Sequence, residues 1–433
     1  MPTVQPSAAP AFRKPFPNRL TPVRTTAVLA FASVAPLCQA TGFIEDSSAT
    51  LSTQNIYFNR DFRDGAGQSK REEWAQGFIL DFQSGYTPGP LGVGLDAMGM
   101  LGLKLDSSPD RTGTGLLPTH DDGRAADEYS KLGLTAKFKA SETELKIGSL
   151  IPDLPTLQPN DSRLFPQTFE GGLLNSTDLP GLNFTGGRLE KVRDRDSTDW
   201  QDLALNNKNR RFSGGSAEGK HYDVAGGDYK LTDHLTGRYH YAQLDDVYRQ
   251  HFVGLLASYP LGPGKLSADV RLSLSDDQGE ARGGEIDNRA FNGLLGYALG
   301  ANKFSLGWQQ MSGDSAFPYI DGSNPYLVNF VQVGDFADTD ERSWQVRHDY
   351  DFASLGIPGL TLMNRYISGD NAKINGMDGR GQEWERNTDI KYVIQSGPLK
   401  DVAVRVRNAT YRSSFARDVD ETRVYLSYSL AIW

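Results

Sequence analysis

The chain has 433 residues, 38% of them hydrophobic, with 46 glycines, a single cysteine and a formal net charge of −9. No apolar run approaches the ~20 residues that a membrane-spanning helix requires, so a helical membrane protein is excluded. The negative balance argues against a nucleic-acid binder, which needs a basic face to neutralise phosphates, and leaves a soluble acidic β-rich protein as the plain alternative.

At the N-terminus Arg13, Lys14, Arg19 and Arg24 precede a short apolar run, 27–37, that ends in Cys38-Gln39-Ala40. A cationic segment, an apolar segment and small residues at a cut form the order of a secretory signal peptide. The expectation is a signal peptide over residues 1–40 and a mature chain over 41–433. Cys38 lies in the part removed, so no disulfide or thiolate metal site is expected in the mature chain. A lipoprotein would instead acylate Cys38, but Leu37 is bulkier than the residue that chemistry expects before it.

Beyond the leader, two-residue alternation recurs and helical periodicity is nearly absent, which predicts strands with one apolar and one polar face. In Lys265-Leu266-Ser267-Ala268-Asp269-Val270-Arg271-Leu272-Ser273-Leu274 the apolar residues are even-numbered. Leu360 and Leu362 alternate with Thr361, Met363 and Arg365, and Val402, Val404 and Val406 with Ala403, Arg405 and Arg407. Near the end Val424, Leu426, Tyr428, Leu430 and Ile432 alternate with Arg423, Tyr425, Ser427, Ser429 and Ala431.

Tight turns at Leu261-Gly262-Pro263-Gly264, Gly300-Ala301-Asn302 and Gly356-Ile357-Pro358-Gly359 are interleaved with long polar stretches near 60–73, 106–129, 150–180, 193–220, 276–289, 312–341 and 369–387. Short turns on one side and long loops on the other predict an all-β transmembrane antiparallel barrel whose strands of ~9–11 residues cross the membrane at a tilt. With the apolar sets toward lipid, Arg365, Lys391, Arg405, Arg407 and Arg423 all face the lumen. The opposite assignment would cost ~2–4 kcal/mol for each arginine near the midplane. Such a column of cations attracts carboxylates, because each guanidinium offers two parallel donors to a planar anion.

A barrel enzyme is the rival class. The histidines at 120, 221, 234, 240, 251 and 348 are scattered, with neither a His-Glu-x-x-His metal motif nor a Gly-x-Ser-x-Gly elbow. Asp194, Asp196 and Asp199 lack the glycine and distal glutamate of a calcium loop and read as a solvated extracellular segment. Gly92 and Gly94 belong to a strand pattern rather than a nucleotide site. No metal or other cofactor is expected.

Several further segments stand out along the chain: Gly42-Phe43-Ile44-Glu45-Asp46-Ser47, Tyr57-Phe58-Asn59-Arg60-Asp61-Phe62-Arg63-Asp64, Trp74-Ala75-Gln76-Gly77-Phe78 and Ser162-Arg163-Leu164-Phe165-Pro166-Gln167-Thr168. Asp246-Val247-Tyr248-Arg249-Gln250 and Val393-Ile394-Gln395-Ser396-Gly397-Pro398 follow. In this order they resemble the OprD-type substrate-specific porins of the outer membrane of Pseudomonas and its relatives. The resemblance implies a barrel of about eighteen strands with inward-folded constricting loops, in the outer membrane of a Gram-negative bacterium among its lipid and lipopolysaccharide, as a monomer or loose homotrimer.

The resemblance also implies a basic ladder on Arg60, Lys391, Arg405, Arg407 and Arg423, to which parity adds Arg365. Arg60 shares parity with the apolar Ile56 and Phe58, so either a bulge intervenes, the strand ends before it, or it is a surface arginine. The constricting loop falls on Ser162 and Arg163, with Arg163 either at the eyelet or pinning the loop to a wall carboxylate. A second inward loop would set Asp314 and Tyr319 opposite the ladder, although the likeness weakens after Tyr319. The implied function is passive uptake of small carboxylate solutes, leaning to aromatic or other monocarboxylates, with basic amino acids or peptides as the alternative. Trp433 falls on the other parity from Ile432 and Tyr428 and reads as a tolerated variant of the family's aromatic ending.

Overall fold

The computed structural model describes residues 41–433, so the proposed signal peptide and Cys38 lie outside the described residues. After a short helix, Thr41–Glu45, the chain forms eighteen antiparallel strands, from Ser48–Phe62 to Val419–Ala431. Each strand pairs with the next in sequence, and the last closes on the first, Thr50 facing Ala431 and Phe62 facing Val419. Closure leaves no unpaired sheet edge, which is the condition for β-structure in hydrocarbon.

Burial is inverted relative to a water-soluble protein. Along Glu128–Ala140, Leu132 and Leu134 are 65% and 53% exposed, while the alternate Lys131, Thr135 and Lys137 are buried. The same holds round the wall: Phe304 and Leu306 face out, and Glu385, Glu421 and Arg423 face in with almost no exposure. Strand period two therefore sorts apolar groups to the lipid and charged groups to the lumen.

Short connections (84–91, 141–142, 177–181, 233–234, 262–263, 300–301, 352–359, 394–402) share one rim. The other rim has 63–69, 107–127, 151–167, 194–221, 245–247, 278–286, 313–341, 373–380 and 414–418. The expected asymmetry is present, but three of the expected loops shrink. The strand Thr168–Ser176 lies inside the stretch 150–180, and strands run on to Phe62 and Ala372 and resume at Lys70 and Gly381. Arg60, Glu73, Glu383 and Glu385 there sit on lumenal faces, where polarity does not mark a loop.

The longest connections turn into the barrel, because the inward face of its upper half is apolar. Leu154 and Leu157 of 151–167, Leu203, Leu205 and Phe212 of 194–221, and Ala316 and Ile320 of 313–341 pack on Tyr222, Val224 and Leu244 of the wall. On the other side Leu164 and Phe165 pack with Leu116 and Leu117 on Ile56, Phe58, Ala75 and Tyr425. A Cβ on Gly77 would come within 3.3 Å of both Leu164 and Phe165, so glycine there permits the loop's close approach.

Candidate functional site

The wall facing these loops is built from the last four strands and the first. In register, Lys391 faces Arg405, Arg407 faces Arg423, and Arg60 faces Glu421. Regular pairing through Arg60 removes the need for a bulge: Ile56, Phe58 and Arg60 all point inward, the first two because they pack under the constricting loop. Apolar character marks lipid only where nothing apolar waits inside.

Two wall carboxylates are each bracketed by two guanidiniums. Glu421 accepts from Arg60 at 2.5 Å and from Arg423 Nε at 2.6 Å. Asp389 accepts from Arg405 Nε at 2.8 Å, with Arg407 Nε at 3.4 Å. Each group of three retains a net positive charge, so the acids order the arginines without neutralising them. Arg365 donates only to the amide oxygen of Asn387, at 3.1 Å, and no described carboxylate comes within 4.0 Å of the Lys391 ammonium.

Arg163 is buried and acts inside the loop. Its Nε donates to the Thr114 carbonyl at 2.6 Å, its Nη1 to the Ser162 carbonyl and hydroxyl, both at 3.0 Å, and its guanidinium lies 4.8 Å from the Phe58 ring centroid. It pins 151–167 to 107–127 through carbonyl oxygens, not to a wall carboxylate. Burial pushes its pKa down, and the Arg423 and Arg195 charges add to this. Ser162 lies at the wall, where its carbonyl accepts from Arg423 Nη1 at 3.4 Å.

The loop 313–341 reaches the same rung. Arg423 Nη2 donates to the Gln332 carbonyl at 3.3 Å, Gln332 Nε2 donates to Glu421 at 3.0 Å, and the Gly334 N–H donates to Glu385 at 2.7 Å. Arg423 is thus gripped by both inward loops. Further back the loop is clasped to 194–221: Arg211 donates to Asp335 at 2.6 Å and to Asp338 at 2.7 Å, all three nearly unexposed, and Lys208 also pairs with Asp335.

Tyr319 departs from expectation. Its hydroxyl is buried and donates to Asp335 at 2.8 Å, so it belongs to the clasp rather than to an open lumenal face. Asp314 is exposed, two residues beyond the strand Asn302–Ser312. The start of the stretch 194–199 also departs from a solvated segment, with Gln167 Nε2 donating to Asp194 at 3.0 Å and Arg195 Nη1 to the Ser162 hydroxyl at 3.3 Å, whereas Asp199 is exposed. Trp433 points out beside Phe82 and donates to the Ser47 hydroxyl at 3.1 Å.

Two further wall groups went unread in the sequence although their signal was present. Arg347 pairs with Asp349 at 2.6 Å, and Arg271 with Asp269 at 2.5 Å. Both repeat the spacing of Glu421 with Arg423, an acid and a base two apart on one strand face. Arg195 had no such signal, since loop residues follow no period. Of the histidines, His240 meets Asp228 at 2.9 Å and His251 meets Tyr239 at 2.9 Å. Among the described residues no serine hydroxyl is hydrogen-bonded to a histidine ring.

Comparison with known proteins agrees with this architecture. The family model described as outer membrane porin, OprD family, matches residues 41–432. The porin-like protein GalP of Pseudomonas putida is 40% identical, over 93% of this chain and 97% of its own. The crystal structure of Pseudomonas aeruginosa OccK5 (OpdH) is 58% identical with a TM-score of 0.82, covering 90% of this chain and all of its own. That of Pseudomonas aeruginosa OpdK with vanillate is 44% identical with a TM-score of 0.85, at the same coverage.

Proposed function

Because the chain belongs to the OprD family of outer-membrane porins, substrate-specific channels rather than enzymes, we propose that it passes small carboxylates, with aromatic and other monocarboxylates foremost. A solute enters between the long loops, meets the narrowing at Arg423, and is handed by its carboxylate from Arg423 and Arg60 to Arg407, Arg405 and Lys391, with Arg365 beside them. No covalent step is involved. The arrangement that carries this reading is the pair of wall carboxylates, each shared by two guanidiniums, next to Lys391, which has no described carboxylate within 4.0 Å. Excess cation held in place attracts an anion, and the resident acids compete with it, so that binding stays weak enough for release. The relative solved with vanillate, itself an aromatic monocarboxylate, supports the same class.

A porin for basic amino acids would need an open acidic and aromatic face. Tyr319 gives its hydroxyl to Asp335, which weakens that alternative. The test is single-channel conductance of the purified protein in a planar bilayer with benzoate or arginine added. Benzoate is expected to interrupt the current and arginine not to. Replacing Arg405 and Arg407 together by glutamine should lower benzoate flux at least about tenfold, since even one hydrogen bond to a charged group, at the lower end of ~1.5–3 kcal/mol, corresponds to that factor. Unchanged flux would sink the ladder.

A further inference from the structure

Two buried acids meet where the loop 313–341 returns to the wall. Glu341, its last residue, is 1% exposed, and its main chain is fixed on both sides. Its N–H donates to the Asp338 carbonyl at 3.1 Å, and its carbonyl accepts from the Met311 N–H at 2.8 Å. In the side chain, Oε2 accepts from the Asp338 N–H at 2.9 Å, while Oε1, equally buried, receives no described donor. That oxygen lies over Gly369, 2.6 Å from where a Cβ would stand, and Phe336 closes the remaining space at 2.8 Å. Gly369 faces Glu383 in register, so the orphan oxygen and the Glu383 carboxyl share one desolvated spot on the wall. Glu383 is 4% exposed, and its one described donor is the Tyr411 hydroxyl, on Oε2, which leaves Oε1 for Glu341.

Neighbouring charges do not neutralise the pair. Lys208 and Arg211 of 194–221 are engaged by Asp335 and Asp338, and Glu385 by the Gly334 N–H. No described cation lies within 4.0 Å of Glu341 or Glu383. Two carboxyl groups in contact without water or a counter-charge cannot both ionise, and one proton between them removes the repulsion and supplies the missing donor. Burial, followed by the Glu383 and Asp338 charges, pushes the Glu341 pKa well above the usual carboxylate range.

We infer that Glu341 and Glu383 share a single proton in a hydrogen bond from one carboxyl to the other, and that this proton ties the return end of 313–341 to the wall. A released loop gives the proton to water, because its Glu341 regains an ordinary carboxylate pKa. The tie is therefore complete below about pH 4 and is lost as pH rises through the raised value. Within that window the ratio of released to held loop grows by up to about tenfold per pH unit.

The experiment records ionic current through the full protein in a planar bilayer, with no solute added, so that its outcome is independent of the carboxylate reading. Current fluctuations of the wild type should become at least about tenfold more frequent between about pH 5 and about pH 9. Glu383→Gln should stay quiet throughout, because one end of the amide accepts from Tyr411 and the other donates permanently to Glu341. Glu341→Gln, a change in the loop that leaves the barrel strands intact, should do the same. A wild type equally quiet at both ends of the range, or a rise that survives in both amide variants, overturns the proposal. Amide variants as noisy in acid as the wild type is in alkali overturn it too, since they carry the shared hydrogen at every pH.

Discussion

Phe58 shows how one side chain can serve two surfaces. Its ring lies 5.6 Å from the Arg60 guanidinium, 4.8 Å from that of Arg163 and 5.0 Å from that of Arg423, while its edge packs in the apolar cluster under the loop. Cation–π attraction contributes ~0.5–2 kcal/mol per partner when water is excluded. Truncating Phe58 to alanine removes that platform and opens a cavity beneath the loop. The expected loss is about 3–5 kcal/mol of stability, read by denaturant unfolding, together with noisier single-channel current as Arg163 and Arg423 lose their common support.

At the scale of elements, the loops are held by different chemistry on their two sides. Apolar packing on the wall is indifferent to pH, whereas the clasp of Arg211, Lys208, Asp335 and Asp338 is ionic. Burial would raise the Asp335 pKa, but the Arg211 and Lys208 charges outweigh it and hold the carboxyl well below the ordinary carboxylate range. A folded value depressed below the unfolded one of about 3.9 means that the clasp contributes its stability above that pH and loses it only as pH falls through the lower folded value. Conductance should therefore be steady from neutral pH down to about pH 4 as far as this clasp is concerned. Asp335→Asn, in contrast, leaves Arg211 with one carboxylate and should loosen 313–341 at neutral pH. Removing one partner from a buried pair costs about 3–5 kcal/mol, and widened conductance fluctuations are the readout. A variant as quiet as the wild type at neutral pH would show that apolar packing alone holds the loop.

The whole molecule is ordered by a single inversion, charge inside and hydrocarbon outside, and neighbouring residues should respond to it oppositely. Leu306 is 61% exposed on the outer wall, and the adjacent Ser305 is buried on the inner one beside Gly296. Arginine at Leu306 should cost ~2–4 kcal/mol in refolding into lipid vesicles if it lies near the midplane. Arginine at Ser305 avoids lipid altogether and should instead alter ion selectivity, seen as a shift in reversal potential. Equal penalties at the two positions would contradict the assignment of faces.

Strand character, the sidedness of the loops and the inward direction of Arg365, Lys391, Arg405, Arg407 and Arg423 were determined by the sequence itself. A period of two sends alternate residues to opposite faces, and a lipid exterior admits only one of the two sets. The same rule misjudged Ile56 and Phe58, because parity presumes that everything apolar faces lipid, and here apolar loop residues enter the lumen to meet them. The long loops carried no period at all. Where Arg163 donates, that Tyr319 turns to Asp335 and that 194–196 folds inward were decided by contacts between segments far apart in the chain. Such contacts depend on which surfaces closure of the barrel brings together, and only the tertiary structure contains that information.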